Sequence, residues 1–466
     1  MKHSSNTFLM CVSLIAALGG LLFGYDWVVI GGAKPFYELY FDIDNSSALQ
    51  GWAMSSALVG CIVGAAFSGK LSDIYGRRPL LILASVLFST SAFGTGISDS
   101  FNQFIVWRIV GGVGIGVAST ISPLYIAEIA PKKIRGLYVS INQLTVVVGI
   151  LAAQIINMLI TERIPDGYSS SEILSSWNGQ MGWRYMFWAE LIPAILFFGL
   201  MFLIPESPRY LVKRNKLTMA KGILNKVGGL EYAENTILKI KDSFKEDNSK
   251  IRVKLLHDKK GLSIIFIGLV LAILQQWCGI NIIFNYAQEI FVSAGYSIND
   301  LFMNIVITGS INLIFTLVAM ATVDKLGRKK LMLIGYGGLA MVYVLLGYFY
   351  YVNIVGFPLL FLVMIAIAIY AMTMAPITWV ILSEIFPNRI RGLAMSISTF
   401  SLWVASALLV QTFPILNEFF GTAGTFWLYG VICVLGFVFV LKLLPETKNK
   451  SLEEIEVLLL KENRKL

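Results

Sequence analysis

Twelve stretches of mostly apolar residues, beginning near Phe8, Gly51, Pro79, Gln103, Leu137, Trp183, Leu262, Leu301, Leu331, Phe357, Leu393 and Thr425, dominate this chain. Each is long enough, at about 20 residues, to cross the hydrocarbon core of a bilayer as an α-helix. Lipid offers no partner to an unpaired backbone N–H or C=O, so helices are the conformation that such stretches adopt there. The fold class implied is an all-α polytopic membrane protein with twelve transmembrane helices. The composition agrees: 56% of 466 residues are hydrophobic and 14% charged, more apolar surface than a soluble core needs. The first stretch, residues 8–33, is too long for a signal-peptide core and carries an acid, so it reads as span one.

The net charge of +9 follows the connections rather than a nucleic-acid surface. Lys70, Arg77 and Arg78, then Lys132, Lys133 and Arg135, then Lys325, Arg328, Lys329 and Lys330, then Arg389 and Arg391 fall in every second connection. The intervening loops hold little beyond Lys34 and Arg163. By the positive-inside rule both termini are cytoplasmic, with the bilayer and no nucleic acid as the macromolecular setting. Residues 205–261 read as a cytoplasmic segment of short amphipathic helices, either a solvated linker or a gating latch, with Leu211, Ile223, Leu224, Val227, Ile237 and Ile240 at partly helical spacing.

The halves repeat. Glu128-Ile129-Ala130-Pro131-Lys132-Lys133-Ile134-Arg135-Gly136 returns at 384–392, Asp73-Ile74-Tyr75-Gly76-Arg77-Arg78 returns at 324–329, and Pro205-Glu206-Ser207-Pro208-Arg209 is echoed by Pro445-Glu446-Thr447-Lys448. The organisation expected is a six-helix bundle over 1–204, a cytoplasmic helical linker over 205–261 and a second six-helix bundle with a short tail over 262–466. Parallel repeats of this kind place a substrate site between the halves, reached alternately from either side. Asp73, Arg78, Glu128, Arg135, Glu206, Arg209, Glu384, Arg391 and Glu446 sit where span ends meet the cytosol. Opposite charges there can latch one state of such a machine, although single exposed pairs are worth only about 0–1 kcal/mol.

The paired loops, the two Glu…Arg-Gly segments, Pro-Glu-Ser-Pro-Arg, Gln275-Gln276-Trp277-Cys278-Gly279-Ile280-Asn281 and the Pro-Glu-Thr-Lys ending together resemble the sugar porter family of the major facilitator superfamily, over essentially the whole chain. The resemblance implies the major facilitator fold and transport of a monosaccharide.

Asp26 is a carboxylate within an apolar span, a placement costing about 2.5–3.5 kcal/mol on insertion scales. Span one runs outward and span four inward, which sets Arg108 at a similar depth, where the two can neutralise one another. A proton would compete with Arg108 for Asp26. Gly24-Tyr25-Asp26 also resembles the motif of bacterial D-xylose/proton symporters, whose aspartate and span-four arginine form the proton-coupling pair, whereas facilitative glucose transporters carry an asparagine. The coupling ion implied is the proton, with no cofactor and no metal. A permanent Asp26–Arg108 bridge that only holds helices together is the alternative.

Adding 255 carries Gly24-Tyr25-Asp26 onto Gly279-Ile280-Asn281, an amide where the first half has an acid. Amides both donate to and accept from sugar hydroxyls. Span seven offers Gln275, Gln276 and Asn281, with Asn285 and Gln288 along one face, and Gly279 as a point where the helix can break. Gln143, Gln275, Gln276, Asn281 and Asn312 match the family's ligand positions, and Phe23, Trp379 and Trp403 are the aromatic candidates by resemblance. Asn304 and Thr308 read as helix glue, and Trp27, Trp52, Trp183 and Trp188 as interfacial belts. Pro376 is expected to interrupt the helix before Trp379.

Asn285, Ala375, Leu402 and Ser406 depart from the family pattern, so a sugar such as xylose, arabinose or a hexose is not assigned from it. Gly111-Gly112-Val113-Gly114-Ile115-Gly116 is a helix-packing surface rather than a dinucleotide loop, since no strand precedes it. Cys11, Cys61, Cys278 and Cys433 lie in spans without metal-like spacing and read as packing residues. The reading is of a transporter, not an enzyme, acting as a monomer and importing a monosaccharide with protons. An uncoupled facilitator is the first alternative and a sugar sensor the second.

Overall fold

A computed structural model describes residues 2–131, 134–165, 168–245, 259–296, 298–386 and 391–448. The membrane-spanning helices are α1 Lys2–Tyr40, α2 Ser47–Tyr75, α3 Arg77–Gly96, α4 Phe101–Ile129, α5 Arg135–Ile160 and α6 Asn178–Met201. They continue as α7 Gly261–Asn285, α8 Ile298–Leu326, α9 Arg328–Tyr351 and α10 Phe357–Leu382. The last helical stretch, Arg391–Leu443, runs for 53 residues, too long for one crossing, and Gly421 breaks it with φ 67° and ψ 172°. It is therefore two spans, α11 (391–420) and α12 (422–443), and the twelve expected from hydropathy are present.

The chain falls into two compact units. One is drawn from Met1–Asp26, Val59–Ile150 and Phe187–Ser249, the other from Trp27–Leu58, Leu151–Met186 and Lys250–Leu466. In the first, small residues let backbones touch. Gly60 and Gly64 of α2 lie against Ile109 and Val113 of α4, Gly116 meets Cys61, and Gly111 and Gly114 face Ser91 and Leu87 of α3. The glycine run of α4 is thus a packing surface, as its sequence context requires. The linker helices Pro208–Lys213, Leu217–Gly228 and Leu230–Lys245 also belong here. They bury Leu211, Val212, Ala220, Leu224, Ala233 and Ile237 in a core of their own, the amphipathic arrangement that their spacing implies.

In the second unit α7 and α10 are discontinuous. Gly279 adopts the left-handed conformation, φ 82°, between helical segments ending at Trp277 and resuming at Ile280, a conformation open to glycine at little cost. In α10 the break falls at Thr373, φ −120° and ψ −81°, three residues before the proline expected to cause it. Pro376 sits in the first turn of the following segment, where its missing N–H costs nothing, and its ring excludes the carbonyl four residues earlier, that of Met372, where the preceding segment ends.

The expectations for Lys34, Trp183 and Cys11 need correction. Lys34 is not in a loop: α1 continues to Tyr40, and Lys34, 2% exposed, pairs with Glu38 one turn on at 2.9 Å and lies 5.6 Å from the centroid of the Tyr286 ring. Pairing and ring contact make the buried cation tolerable. Trp183 is fully buried among Tyr40, Phe41 and the Arg184 guanidinium rather than placed in a belt. Of the four cysteines, all free, Cys61, Cys278 and Cys433 are buried, but Cys11 lies on an exposed face.

Candidate functional site

The first unit holds a buried charge cluster. Arg108, 2% exposed, forms an ion pair through Nη1 with Oδ1 of Asp26, 1% exposed, and its Nη2 reaches the Asp26 carbonyl oxygen at 3.4 Å. The guanidinium also lies 5.5 Å from the Phe187 ring centroid. Oδ2 of Asp26 has no hydrogen-bond partner, and Gly111, lacking a side chain, faces it. Asp26 lies fourteen residues before the end of α1, and its partner is the one expected.

A second acid was missed. Glu190 of α6, 2% exposed, shares the electrostatic environment of Asp26 and Arg108, and its Oε1 has no hydrogen-bond partner. Two buried carboxylates, Asp26 and Glu190, therefore lie within electrostatic reach of one guanidinium, with which Asp26 forms the ion pair. The signal was available, since Glu190 is an acid inside an apolar span just as Asp26 is.

Also in the first unit are Gln143, partly exposed on α5, and Phe23, half-buried on α1 one turn before Asp26. In the second unit an amide chain follows the break in α7. Gln275 donates to the Tyr370 hydroxyl at 2.5 Å, Gln276 to Gln275 Oε1 at 2.7 Å, Asn281 to Gln276 Oε1 at 2.5 Å, and Asn285 to the Asn281 carbonyl at 3.0 Å. The left-handed Gly279 brings the glutamines and Asn281 together across the interruption, as the sequence suggested. Asn312 is 6% exposed, and so is Asn304. Trp403, 3% exposed, tilts against Trp27 at 5.9 Å, which assigns Trp27 to this interior rather than to a belt; Trp379 is 36% exposed. The side chain of Gln288 lies outside the described residues.

The repeated loops build the same cluster twice. In the first unit Glu206 accepts from the backbone N–H of Arg77 at 3.0 Å and of Arg78 at 3.3 Å, Arg77 Nη2 donates to Glu128 at 3.0 Å, and Ser207 Oγ donates to the other Glu128 oxygen. In the second, Glu446 accepts from Arg328 N–H at 2.9 Å and Lys329 N–H at 3.2 Å, Arg328 donates to Glu384 at 3.1 Å, and Thr447 donates to Glu384 at 2.5 Å. Gly76 (φ 107°) and Gly327 (φ 89°) make this possible, because a side chain at either position would strike the glutamate that caps the next helix.

It is Arg77, not Arg78, that meets the carboxylates, Asp73 included at 3.1 Å; Arg78 donates to the carbonyls of Met201 and Phe202. Asp73 also pairs with Lys213 at 3.1 Å, and Arg135 is exposed. Arg209 has contacts of its own, while the Arg391 side chain lies outside the described residues.

The two capping glutamates titrate in opposite directions. Burial raises the Glu206 carboxyl above the usual range despite the N–H groups of Ser207, Arg77 and Arg78. Burial also acts on Glu446, but the N–H groups of Lys448, Arg328, Lys329 and Thr447 together bring it below that range. Glu206 therefore contributes stability that is present at low pH and lost as pH rises through its folded pKa, whereas Glu446 contributes stability lost as pH falls through its own. On acidification Glu206 is expected to take up its proton first. Hydrogen exchange, corrected for intrinsic rates, should then show Arg77 and Arg78 amides losing protection at a higher pH than those of Arg328 and Lys329. The reverse order would refute the assignment.

Comparison with known proteins settles the class of molecule. The family model for sugar (and other) transporters matches residues 12–459. The chain belongs to the sugar transporter family. The D-xylose-proton symporter of Escherichia coli (strain K12) is 39% identical, with 99% of this chain and 98% of that protein covered. The arabinose-proton symporter of Bacillus subtilis (strain 168) is 38% identical over 99% and 97%. The solved structure of the major facilitator superfamily proton:xylose symporter XylE bound to 6-bromo-6-deoxy-D-glucose superposes with a TM-score of 0.83 at 38% identity, covering 97% of this chain and 99% of that one. This transporter is therefore an integral membrane protein of the major facilitator fold.

Proposed function

We propose that the chain imports a monosaccharide together with protons by alternating access, a pentose such as xylose or arabinose, or a hexose. The observation that carries coupling is the Asp26–Arg108 pair with Asp26 Oδ2 unpartnered and Glu190 beside it. A proton on Oδ2 removes the charge that holds Arg108, which frees the guanidinium to turn toward Glu190 and lets the surrounding helices shift. Loss of the proton restores the pair. Binding of sugar is assigned to Phe23, Gln143, Gln275, Gln276, Asn281, Asn285, Asn312, Trp379 and Trp403. The amides read hydroxyls and the rings cover the C–H face of a pyranose.

The two six-helix halves, 1–204 and 262–466, rock about this site, with both termini cytoplasmic and the monomer as the working unit. Asp73, Arg78, Glu128, Arg135, Glu206, Arg209, Glu384, Arg391 and Glu446, with Arg77 added, set the stiffness of the cytoplasmic ends. No chemical conversion of the sugar is involved.

The test is sugar-evoked proton uptake into vesicles. Uptake of protons on adding sugar supports symport; sugar flux without it leaves a facilitator in which Asp26 and Arg108 only bridge helices. Gln143→Ala and Gln276→Ala are each expected to weaken sugar binding about tenfold, the scale of one lost hydrogen bond in a buried site. Unchanged affinity in both, by isothermal titration, would move the site elsewhere.

A further inference from the structure

Gln154 of α5 takes no part in the mechanism above, yet among the described residues of the second unit its side-chain amide stands out. Its side chain is 1% exposed, and neither Oε1 nor Nε2 has a hydrogen-bond partner. A buried primary amide with both ends unpaired is expensive, because it gives up its bonds to water and receives none in return. Neighbouring polar residues bear less of that cost: the Asn157 amide leaves Oδ1 unpaired but donates to the Val29 carbonyl at 3.1 Å, and Thr308 donates to the Ile305 carbonyl at 2.6 Å.

The amide has a place made for it. Its Oε1 sits where a side chain at Gly309 of α8 would stand, so any larger residue there would displace it. Gly309 lies three residues before Asn312, the ligand proposed on α8, and residues so spaced share a helix face about 4.5 Å apart along the axis. Along α5, Gln154 follows Gln143 by eleven residues, on nearly the same face but about 16 Å further along the axis, so in any shared site it stands nearer to Asn312 of α8 than to Gln143. Gln154 thus combines a place against the helix that carries Asn312 with an unused donor and an unused acceptor.

We propose that Gln154 is a specificity-determining ligand of the transported sugar, pairing its amide with a hydroxyl at the end of the ring beyond Asn312. This rests on the sugar-transport reading and adds a contact to it. One hydroxyl can accept from Nε2 and donate to Oε1, satisfying both atoms only when substrate is bound. A site built on such a bond discriminates against analogues lacking the hydroxyl, since they leave the amide unpaired.

The experiment compares wild type with Gln154→Leu, measuring affinity for the transported monosaccharide and for each of its monodeoxy analogues. Gln154→Leu is expected to bind the parent sugar about tenfold more weakly, yet to bind one monodeoxy analogue as well as wild type does. Without sugar the variant should melt no lower than wild type, because a hydrocarbon replaces an unpaired amide. Unchanged parent affinity, a uniform loss across all analogues, or a lower melting temperature without sugar would each overturn the assignment and leave sugar transport standing. Failure of wild type to bind any monosaccharide would overturn both.

Discussion

Asp26→Asn is expected to abolish proton-driven accumulation of sugar while sparing exchange. Asparagine keeps the size of the side chain and its hydrogen bonding but has no charge to lose. The variant should therefore still cycle with sugar bound and support counterflow of labelled substrate near the wild-type rate. What it should lose is the link to the gradient. One pH unit is worth about 1.4 kcal/mol, or about tenfold accumulation at one proton per sugar, and the variant should fall to equal concentrations inside and out. Glu190→Gln tests the other carboxylate, with Arg108 and Asp26 left as a balanced pair. Retained accumulation in Asp26→Asn would mean that the proton binds elsewhere, and Glu190 would be the first place to look.

Arg108→Met carries the largest expected cost in stability. It leaves the Asp26 carboxylate, 1% exposed, buried with its paired cation gone. Removing one partner of a buried pair costs about 3–5 kcal/mol, because the remaining charge keeps its desolvation penalty and loses its compensation. The variant should melt well below wild type in detergent, and Asp26→Asn introduced into the same protein should recover a large part of the loss. Exposed pairs make a useful contrast. Lys221 and Glu234 of the linker, bonded at 2.7 Å but both half exposed, should contribute little by the same measurement. Equal melting of Arg108→Met and wild type would show that the pair has no net structural value.

These effects concentrate on a few residues because the rest of the molecule is redundant in the way spanning helices are. Hydropathy is summed over about twenty positions, so the spans were legible even though their ends were not: α1 runs to Tyr40, past the Lys34 that had been read as a loop residue. Repetition was legible for a different reason. The loops at 73–78 and 324–329 must each present a glycine and two successive N–H groups to a glutamate far along the chain, and that requirement fixes residue types at fixed spacing. Which of two adjacent arginines turns inward was not legible. Arg77 and Arg78 differ by 100° around the helix, and only the position of Glu128 decides between them.

Local order along the chain, set by short-range sterics and by the intolerance of lipid for unpaired backbone, belongs to the sequence. From it came the twelve spans, the twofold repeat, the break at Gly279, the family and the pairing of Asp26 with Arg108. Long-range electrostatics and packing belong to the tertiary structure. It alone joined Glu190 to that pair, buried Lys34 beside Glu38, set Trp27 against Trp403 and left the Gln154 amide against Gly309 with nothing to bond. The reason is common to all four: what a buried polar or aromatic side chain does depends on the few atoms around it, and these arrive from helices far apart in the chain.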